Sequence, residues 1–178
     1  MIESTPGAAQ GVAQALAVRA LDLADPEAAR ACVDLLDHYA RDPMGGGTPL
    51  RDEVKAALAA RLSRVPHFHG ALAWLGAGRE AEAVGLIHCF EGFSTFAARP
   101  LLNVHDIVVR DGRRGLGIGQ ALLAWAERRA RELGCCKLTL EVLANNRVAL
   151  AAYERAGFRP YVLDPSAGLA MFLQRRLD

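Results

Sequence analysis

One stretch of the chain, HDIVVRDGRRGLGIGQALL from His105 to Leu123, limits the possible folds more than any other. It opens with apolar residues of β-strand type, continues through a charged turn and ends in a helical pattern. Three glycines, Gly115, Gly117 and Gly119, stand at alternate positions where the helix begins. We therefore predict a strand, a glycine-rich turn and a helix in that order, within a fold that combines a sheet with helices.

The turn is suited to bind an anion. The first N–H groups of a helix have no partner within the helix and carry the positive end of its dipole. Glycines have no Cβ, so a bulky anion can come close to the backbone, and Arg113 and Arg114 add positive charge. We therefore predict that residues 114–120 hold a phosphate group.

Two common phosphate-binding motifs do not fit this turn. A P-loop ends in Gly-Lys followed by Ser or Thr, whereas this turn ends in Gly119 and Gln120. A dinucleotide fingerprint has the spacing G-x-G-x-x-G on the first strand of its domain, with an acidic residue about twenty positions later. Here the spacing is G-x-G-x-G after the fourth predicted strand, and Glu132 falls inside the helix. Nucleotide hydrolysis and nicotinamide binding are therefore disfavoured.

The remaining sequence alternates between helical and strand patterns. Asp25 and Pro26 are typical of a helix N-cap followed by the first helical residue. The predicted order is a strand (16–21), two helices (from 26, and 51–64), three strands (69–75, 83–93 and 101–109), a helix (117–133), a buried strand (136–143), a helix (145–157) and two closing strands (158–164 and 168–177). This order predicts a single mixed α/β domain over residues 16–178, with residues 1–15 as a flexible N-terminal arm.

The charge pattern excludes several classes of function. The chain has 178 residues and a formal net charge of +1, with acidic and basic residues interspersed, so we expect neither a nucleic-acid nor a membrane-surface partner. The longest uncharged stretch near the middle, residues 65–78, is too short and too polar to span a bilayer. The first residues carry no early Lys or Arg, which argues against a signal peptide, and we expect a cytoplasmic protein.

The cysteines and histidines offer weak alternatives. The four cysteines form no C-x-x-C pair, so we expect reduced, buried thiols. His67 and His69 would share a face of a strand, but no further ligand stands at metal-binding spacing, and no metal is predicted. The neighbours Cys135 and Cys136 could suggest an acyl-enzyme, yet they lie away from the predicted phosphate turn.

The turn and its surroundings resemble one known family. Arg114, Gly117 and Gly119 match the pattern R/Q-x-x-G-x-G/A, and NNRVALAAYERAGF follows about thirty residues later with the pattern Asn…Tyr…Gly-Phe. On these motifs the chain resembles the GNAT superfamily of N-acetyltransferases over about residues 86–173. Within it, FSTFAARPLLNVHDIVV is similar to a segment of the spermidine/spermine and thialysine acetyltransferases. Those enzymes carry Glu-Asp where this chain has His105 and Asp106, which weakens the case for a polyamine acceptor.

The resemblance implies a fold and a cosubstrate. The fold would have a mostly antiparallel sheet of about seven strands, splayed between the fourth and fifth, with helices on both faces. The cosubstrate would be acetyl-CoA. Its pyrophosphate would bind to the turn, and its pantetheine arm would pair with the backbone of the fourth strand. The residues implied in cofactor binding are Ile107, Val108, Val109, Arg114, Gly115, Leu116, Gly117, Ile118, Gly119, Gln120, Asn146 and Tyr153.

The resemblance also implies a catalytic role for Tyr153, which would protonate the departing CoA thiolate. The attacking amine must be neutral, so a general base or a water chain is required. His105 is the first candidate because the ordinary pKa of histidine suits the task, Glu141 on the fifth strand is the second, and Glu91 is a distant third. In a regular strand His105 and Asp106 point to opposite sides, so no dyad is expected.

We therefore expect an N-acetyltransferase that moves an acetyl group to a primary amine by direct attack in a ternary complex. The acceptor could be a small amine, an amino acid or a peptide, and a homodimer is expected from the family. The alternative is a non-catalytic acyl-CoA-binding sensor or subunit. Such a protein would need the phosphate turn but neither Tyr153 nor a base.

Overall fold

The structure, a computed structural model, describes residues 15–162, 164, 166 and 170–177. Residues 1–14 of the expected N-terminal arm lie outside the described part. In chain order the elements are β1 (Leu16–Ala20), α1 (Pro26–Arg41), α2 (Asp52–Leu62), β2 (Phe68–Leu75), a short 3₁₀ turn (Gly78–Glu80), β3 (Glu82–Ser94), β4 (Arg99–Val109), α3 (Ile118–Glu132), β5 (Leu138–Leu140) and α4 (Arg147–Arg155). The mixed α/β class predicted from the sequence is confirmed.

Helix ends follow the capping residues that the sequence shows. Asp25 is the N-cap of α1, its Oδ1 accepts the N–H of Glu27 at 2.9 Å, and Pro26 is the first helical residue. At the C-terminal end of α3, Gly134 has a φ of +68°, a left-handed conformation that glycine adopts without strain.

The five strands form one sheet in the order β1-β2-β3-β4-β5. The first three pairings are antiparallel, and β4 pairs with β5 in parallel. A parallel pair needs a crossover connection, which α3 supplies. The β4–β5 pairing covers only Leu102 to Val104 opposite Leu138 to Leu140. Residues 105–109 of β4 therefore have no neighbour strand on that side in the described part of the chain, in keeping with the splay that the resemblance implied.

Helices cover both faces of the sheet. On one face, α3 packs Ile118, Leu122 and Ala126 onto the strands; on the other, α1 packs Cys32 and Leu35. Because α3 lies very close to the sheet, there is no room for a side chain at position 85. A Cβ built on Gly85 would lie 3.0 Å from Ile118 Cγ2 and 3.1 Å from Leu122 Cδ1. The helix that carries the phosphate turn is thus fixed directly against β3.

The expected seven strands are wrong, because the sheet formed by the described residues has five. Residues 158–162 and 170–177, which fall in the two predicted closing strands, are not in strand conformation. β propensity describes how well a residue fits a half-buried, pleated surface, and these side chains lack one, with Phe172 78% exposed and Leu173 80% exposed. β5 is also shorter than the predicted strand at 136–143, and its three residues are half-buried rather than buried.

Candidate functional site

The site lies where β4 separates from β5, next to the start of α3. β4 ends at Val109, a turn follows, and α3 begins at Ile118 behind the N-cap Gly117. Gly115 and Gly117 have φ values of +82° and +78°, which a residue with a Cβ reaches only with strain. A Cβ added at either position would meet no protein atom within 4 Å, so both glycines border open space.

The backbone of this turn is available to a ligand. Within the described residues, the N–H groups of residues 114–120 form no hydrogen bond of good geometry to a protein acceptor. These donors surround the positive end of the α3 dipole, the arrangement that binds phosphate in many proteins. We call residues 114–120 the cradle. Its free amides and bare glycines fit a diphosphate.

The arginines of the turn are held by protein carboxylates. The Nη2 atom of Arg114 lies 3.0 Å from Asp42 Oδ2 and 3.1 Å from Asp111 Oδ1. Arg113 pairs with Glu82 at 2.9 Å. Asp42 is the C-cap of α1, so Arg114 connects the cradle to the loop between α1 and α2. The uncompensated positive charge at the cradle therefore comes mainly from its amides.

The side chains of the cradle have differing surroundings. Leu116 is 57% exposed, whereas Ile118 is buried in the core below the turn. Gln120 Nε2 donates to the carbonyl of Ala152 at 2.8 Å and thereby connects α3 to α4. Ile118 and Gln120 would therefore bind a ligand through their N–H groups, while their side chains hold the turn in place.

Helix α4 and its N-cap supply Asn146 and Tyr153 of the motif Asn…Tyr…Gly-Phe. Asn146 is its N-cap, and Asn146 Oδ1 accepts the N–H of Ala149 at 3.1 Å. This capping contact accounts for the asparagine, and its contact with a cofactor stays a prediction. Tyr153 is half-buried, with its ring centroid 5.9 Å from that of Phe158. Burial, with a smaller contribution from Tyr39, raises the pKa of Tyr153 to about 12, so its hydroxyl is protonated at neutral pH.

A β-bulge in β4 changes the direction of two side chains. His88 pairs with Asp106 and Cys89 pairs with Val104, so His105 is an extra residue on β4. The His105 ring packs edge-on against Phe90 at 5.3 Å, and Asp106 Oδ2 lies 3.2 Å from His88 Nδ1. Phe68 touches both Phe90 and His88, which places all of these side chains on the α1 face. The expectation that His105 and Asp106 point to opposite sides is wrong, because the bulge shifts the alternation by one residue.

Comparison with known proteins identifies this arrangement. The sequence model of the Acetyltransferase (GNAT) family matches residues 33–158. The chain belongs to this family. The resemblance drawn from the cradle and α4 motifs is thus confirmed at the level of the family, and the spermidine/spermine branch stays a prediction.

Three relatives of the GNAT chain are informative. Streptothricin acetyltransferase of Streptomyces lavendulae is 38% identical over 85 residues, 48% of this chain and 43% of the relative. Aminoalkylphosphonate N-acetyltransferase of Salmonella typhimurium is 35% identical over 81 residues, 46% of this chain and 53% of the relative. The chain thus spans about half the length of these curated relatives. The crystal structure of the aminoglycoside N-acetyltransferase AAC(6')-Iy in complex with CoA has a TM-score of 0.68 at 16% identity, over 92% of this chain and 96% of that one, which shows a shared fold.

The predicted bases of the GNAT chain lie in different surroundings. His105 is exposed beside the splay. Glu141 follows β5, and both of its carboxylate oxygens lie 3.3 Å from Asn103 Nδ2 on β4. Glu91 lies elsewhere, with its Oε2 3.6 Å from His69 Nε2, and His69 in turn accepts a hydrogen bond from Arg129 on α3. Glu91 therefore belongs to the α3 face and is separated from the face that carries His105.

Sequence reasoning missed three residues near the splay. Tyr39 on α1 is half-buried, and its burial together with the charges of Asp106 and Asp42 raises its pKa. Cys32 and His88 are buried and hydrogen-bonded to each other. The only signal for His88 was a polar residue within the apolar run VGLIHCF, and nothing in the sequence linked it to α1.

The alternatives based on metal and thiol chemistry gain no support. Within the described residues, no group of three or more His, Cys, Asp or Glu side chains could hold a metal ion. Burial raises the pKa of the Cys135 thiol, which lies with Cys136 along a groove of about 610 Å³ between α3, β5 and α4. Its thiol is thus less readily ionised than a free one. No described helix is long and apolar enough to cross a membrane.

Proposed function

We propose that the chain is an acetyl-CoA-dependent N-acetyltransferase that moves an acetyl group to a primary amine by direct attack in a ternary complex. One observation carries this proposal. Within the described residues, the N–H groups of residues 114–120 form no hydrogen bond of good geometry to the protein, Gly115 and Gly117 border open space, and no described strand covers the adjacent edge of β4. Such a cradle and edge suit a long ligand with a diphosphate at one end and amide groups along its arm, as acetyl-CoA has. Membership in the GNAT family and the CoA complex of a fold relative support the same cosubstrate.

In this proposal the cradle amides bind the diphosphate. The backbone of Ile107, Val108 and Val109 pairs with the pantetheine arm as an added strand would, because this segment lacks a partner beyond Val104. Acetyl-CoA supplies the thioester whose carbonyl carbon the amine attacks. The splay between β4 and β5 then admits the thioester from the α3 side and the amine from the α1 side.

Tyr153 acts on the leaving thiolate. With a tyrosine pKa of about 12, full proton transfer to a thiolate of pKa roughly 8.5 is uphill by about 5 kcal/mol. We infer that Tyr153 first donates a hydrogen bond to the sulfur, and that the proton transfers only as charge develops there. The hydrogen bond from Tyr153 stabilises the negative charge on the thiolate, and the tyrosine does not have to ionise first.

A base must act on the acceptor. An amine of pKa about 10.4 is only roughly 10⁻³ neutral at pH 7, which costs about 4–5 kcal/mol if no group removes the proton. His105 is our first candidate, since it is exposed beside the splay on the α1 face. Glu141, held by Asn103, is the second, acting through water.

The proposed acceptor is a small molecule. The two curated relatives above are named for streptothricin and for aminoalkylphosphonates, and the fold relative for aminoglycosides, all of them small amines. A peptide N-terminus stays a second candidate acceptor. We also expect a cytoplasmic homodimer, which cell fractionation and sedimentation equilibrium will test.

The direct test measures free-thiol release from acetyl-CoA with streptothricin, 2-aminoethylphosphonate, kanamycin, spermidine and a short peptide with a free N-terminus. We expect turnover on at least one of these five acceptors, with the acetylated amine identified by mass spectrometry. An acetyl-enzyme burst without acceptor would contradict direct attack. Tight CoA binding with no turnover on any acceptor would favour the sensor instead.

A further inference from the structure

Three side chains that the proposed mechanism does not use form a line through the core. Cys32 Sγ on α1 lies 3.3 Å from His88 Nε2 on β3, and His88 Nδ1 lies 3.2 Å from Asp106 Oδ2 on β4. Cys32 is 0% exposed and His88 is 2% exposed, while the Asp106 side chain is 20% exposed. The line therefore begins in the core and ends at the splay.

The protons in this line can be assigned. Burial, helped by the charge of Asp106, raises the pKa of the Cys32 thiol to about 12, so the thiol keeps its proton at neutral pH. The thiol therefore donates to His88 Nε2, and the imidazole proton resides on Nδ1, from which it is donated to Asp106. A thiolate nucleophile is excluded by the same facts, because the sulfur is fully buried and its ionisation is opposed.

A histidine inside an apolar core requires a reason. Burying its ring nitrogens without partners would destabilise the fold, and here each nitrogen has one partner. Both partners serve to fix the orientation of Asp106. The second carboxylate oxygen of Asp106 forms no hydrogen bond to the described residues, and Asp106 directly follows His105, the extra residue of the bulge.

We propose that Cys32 and His88 position Asp106 so that its second carboxylate oxygen binds the ammonium group of the acceptor, from which the neighbouring base removes a proton. This assignment rests on the proposed function. Asp106 is the acceptor-binding residue, and His88 acts through it as a positioning residue. A carboxylate oxygen binds an ammonium group through a charge-assisted hydrogen bond, which is stronger than a neutral one.

The kinetic test uses whichever of the five acceptors above gives the highest rate. Asp106→Asn should raise the KM for that acceptor about 10-fold or more, the size expected for a lost charge-assisted hydrogen bond, with the KM for acetyl-CoA unchanged within about two-fold. His88→Phe keeps a ring of similar size but removes both nitrogens, and should raise the acceptor KM about 3-fold or more. His88→Asn retains a donor near the position of Nδ1 and should restore most of that loss.

Two buried cysteines give a matched control. Cys32 and Cys89 are both 0% exposed, and of these two thiols the one hydrogen-bonded to the His88 ring is that of Cys32. Cys32→Ala should raise the acceptor KM, Cys32→Ser should restore it, and Cys89→Ala should lower stability with no change in either KM. If the Cys32 and His88 variants only lower the melting temperature and leave the acceptor KM unchanged, the line is structural and the assignment is wrong.

A second measurement is independent of activity. In protein labelled with ¹⁵N-histidine, the wild-type His88 ring should carry a proton on Nδ1, while Nε2 accepts the hydrogen bond from Cys32. The tautomer with its proton on Nε2 overturns the assignment even if the enzyme is active. Absence of thiol release by the wild type on all five acceptors would instead refute the proposed function, while the ring measurement still decides whether the line exists.

Discussion

The sharpest test of the cradle replaces Gly117 by alanine. Gly117 has a φ of +78°, and an L-residue in the left-handed region costs about 1–2 kcal/mol, which for a chain of this length lowers the melting temperature by about 2–8 °C. The new Cβ meets no protein atom within 4 Å, so the fold should persist. It would instead occupy the space of a diphosphate oxygen. We expect calorimetric affinity for CoA to fall about 10-fold or more, about 1.4 kcal/mol, as one amide contact to the anion is lost.

Gly134, at the far end of α3, offers a matched control. Its φ is +68°, and a Cβ there also meets nothing within 4 Å. Gly134→Ala should therefore lower the melting temperature by a similar amount and leave CoA affinity within about two-fold of the wild type. If the two alanine variants bind CoA equally well, the amides at Gly117 do not hold the cofactor, and our account of residues 114–120 is refuted.

Four further outcomes are expected. Tyr153→Phe should lower kcat about 10²-fold with the KM for acetyl-CoA unchanged, in the range usual for general-acid catalysis; wild-type turnover would remove Tyr153 from the mechanism. His105→Ala should shift or abolish the low-pH limb of the kcat/KM profile, and an unmoved limb would exclude His105 as the base. The pKa of His69 is lowered by burial and by the nearby Arg129, so its stabilising contribution is present above the unfolded value of about 6.5 and is lost as pH falls below it. Urea unfolding should therefore show a smaller stability loss between pH 7.5 and 5.5 for His69→Gln than for the wild type, and equal losses would contradict this. Gly85→Val should destabilise the fold by about 1–3 kcal/mol in the same assay, because its side chain would overlap Ile118; an unchanged midpoint would show that α3 can move away from the sheet.

The part of the site that lies in consecutive residues could be predicted from the sequence. The end of β4, the glycine turn and the start of α3 depend on local backbone preferences, and 114–120 were identified from them alone. The N-cap of α4 is of the same local kind, because the Asn146 side chain accepts an N–H of the first helical turn. Such features follow from capping and from glycine conformation, which act over a few residues.

The part that depends on distant pairings could not be predicted. Cys32, His88 and Asp106 are separated by 56 and 18 positions, and only the packing of α1 on the sheet and the pairing of β3 with β4 join them. The prediction of two closing strands was wrong for a related reason. An apolar run such as residues 170–173 becomes a strand only when another strand presents a free edge in register, and sequence pattern alone does not show whether it does.

The single extra residue at the bulge divides β4 into two segments, and opposite sets of alternate positions face α3 in the two segments. Before it, the even positions Leu102 and Val104 point toward α3; after it, the odd positions Ile107 and Val109 do. Deleting His105 would place Asp106 directly after Val104 and restore an uninterrupted ladder, with Ile107 and Val109 still facing α3 and Asp106 still facing α1. The two halves of this strand therefore tolerate opposite sets of substitutions, and any redesign of the acceptor pocket must count its hydrophobic positions separately on either side of residue 105.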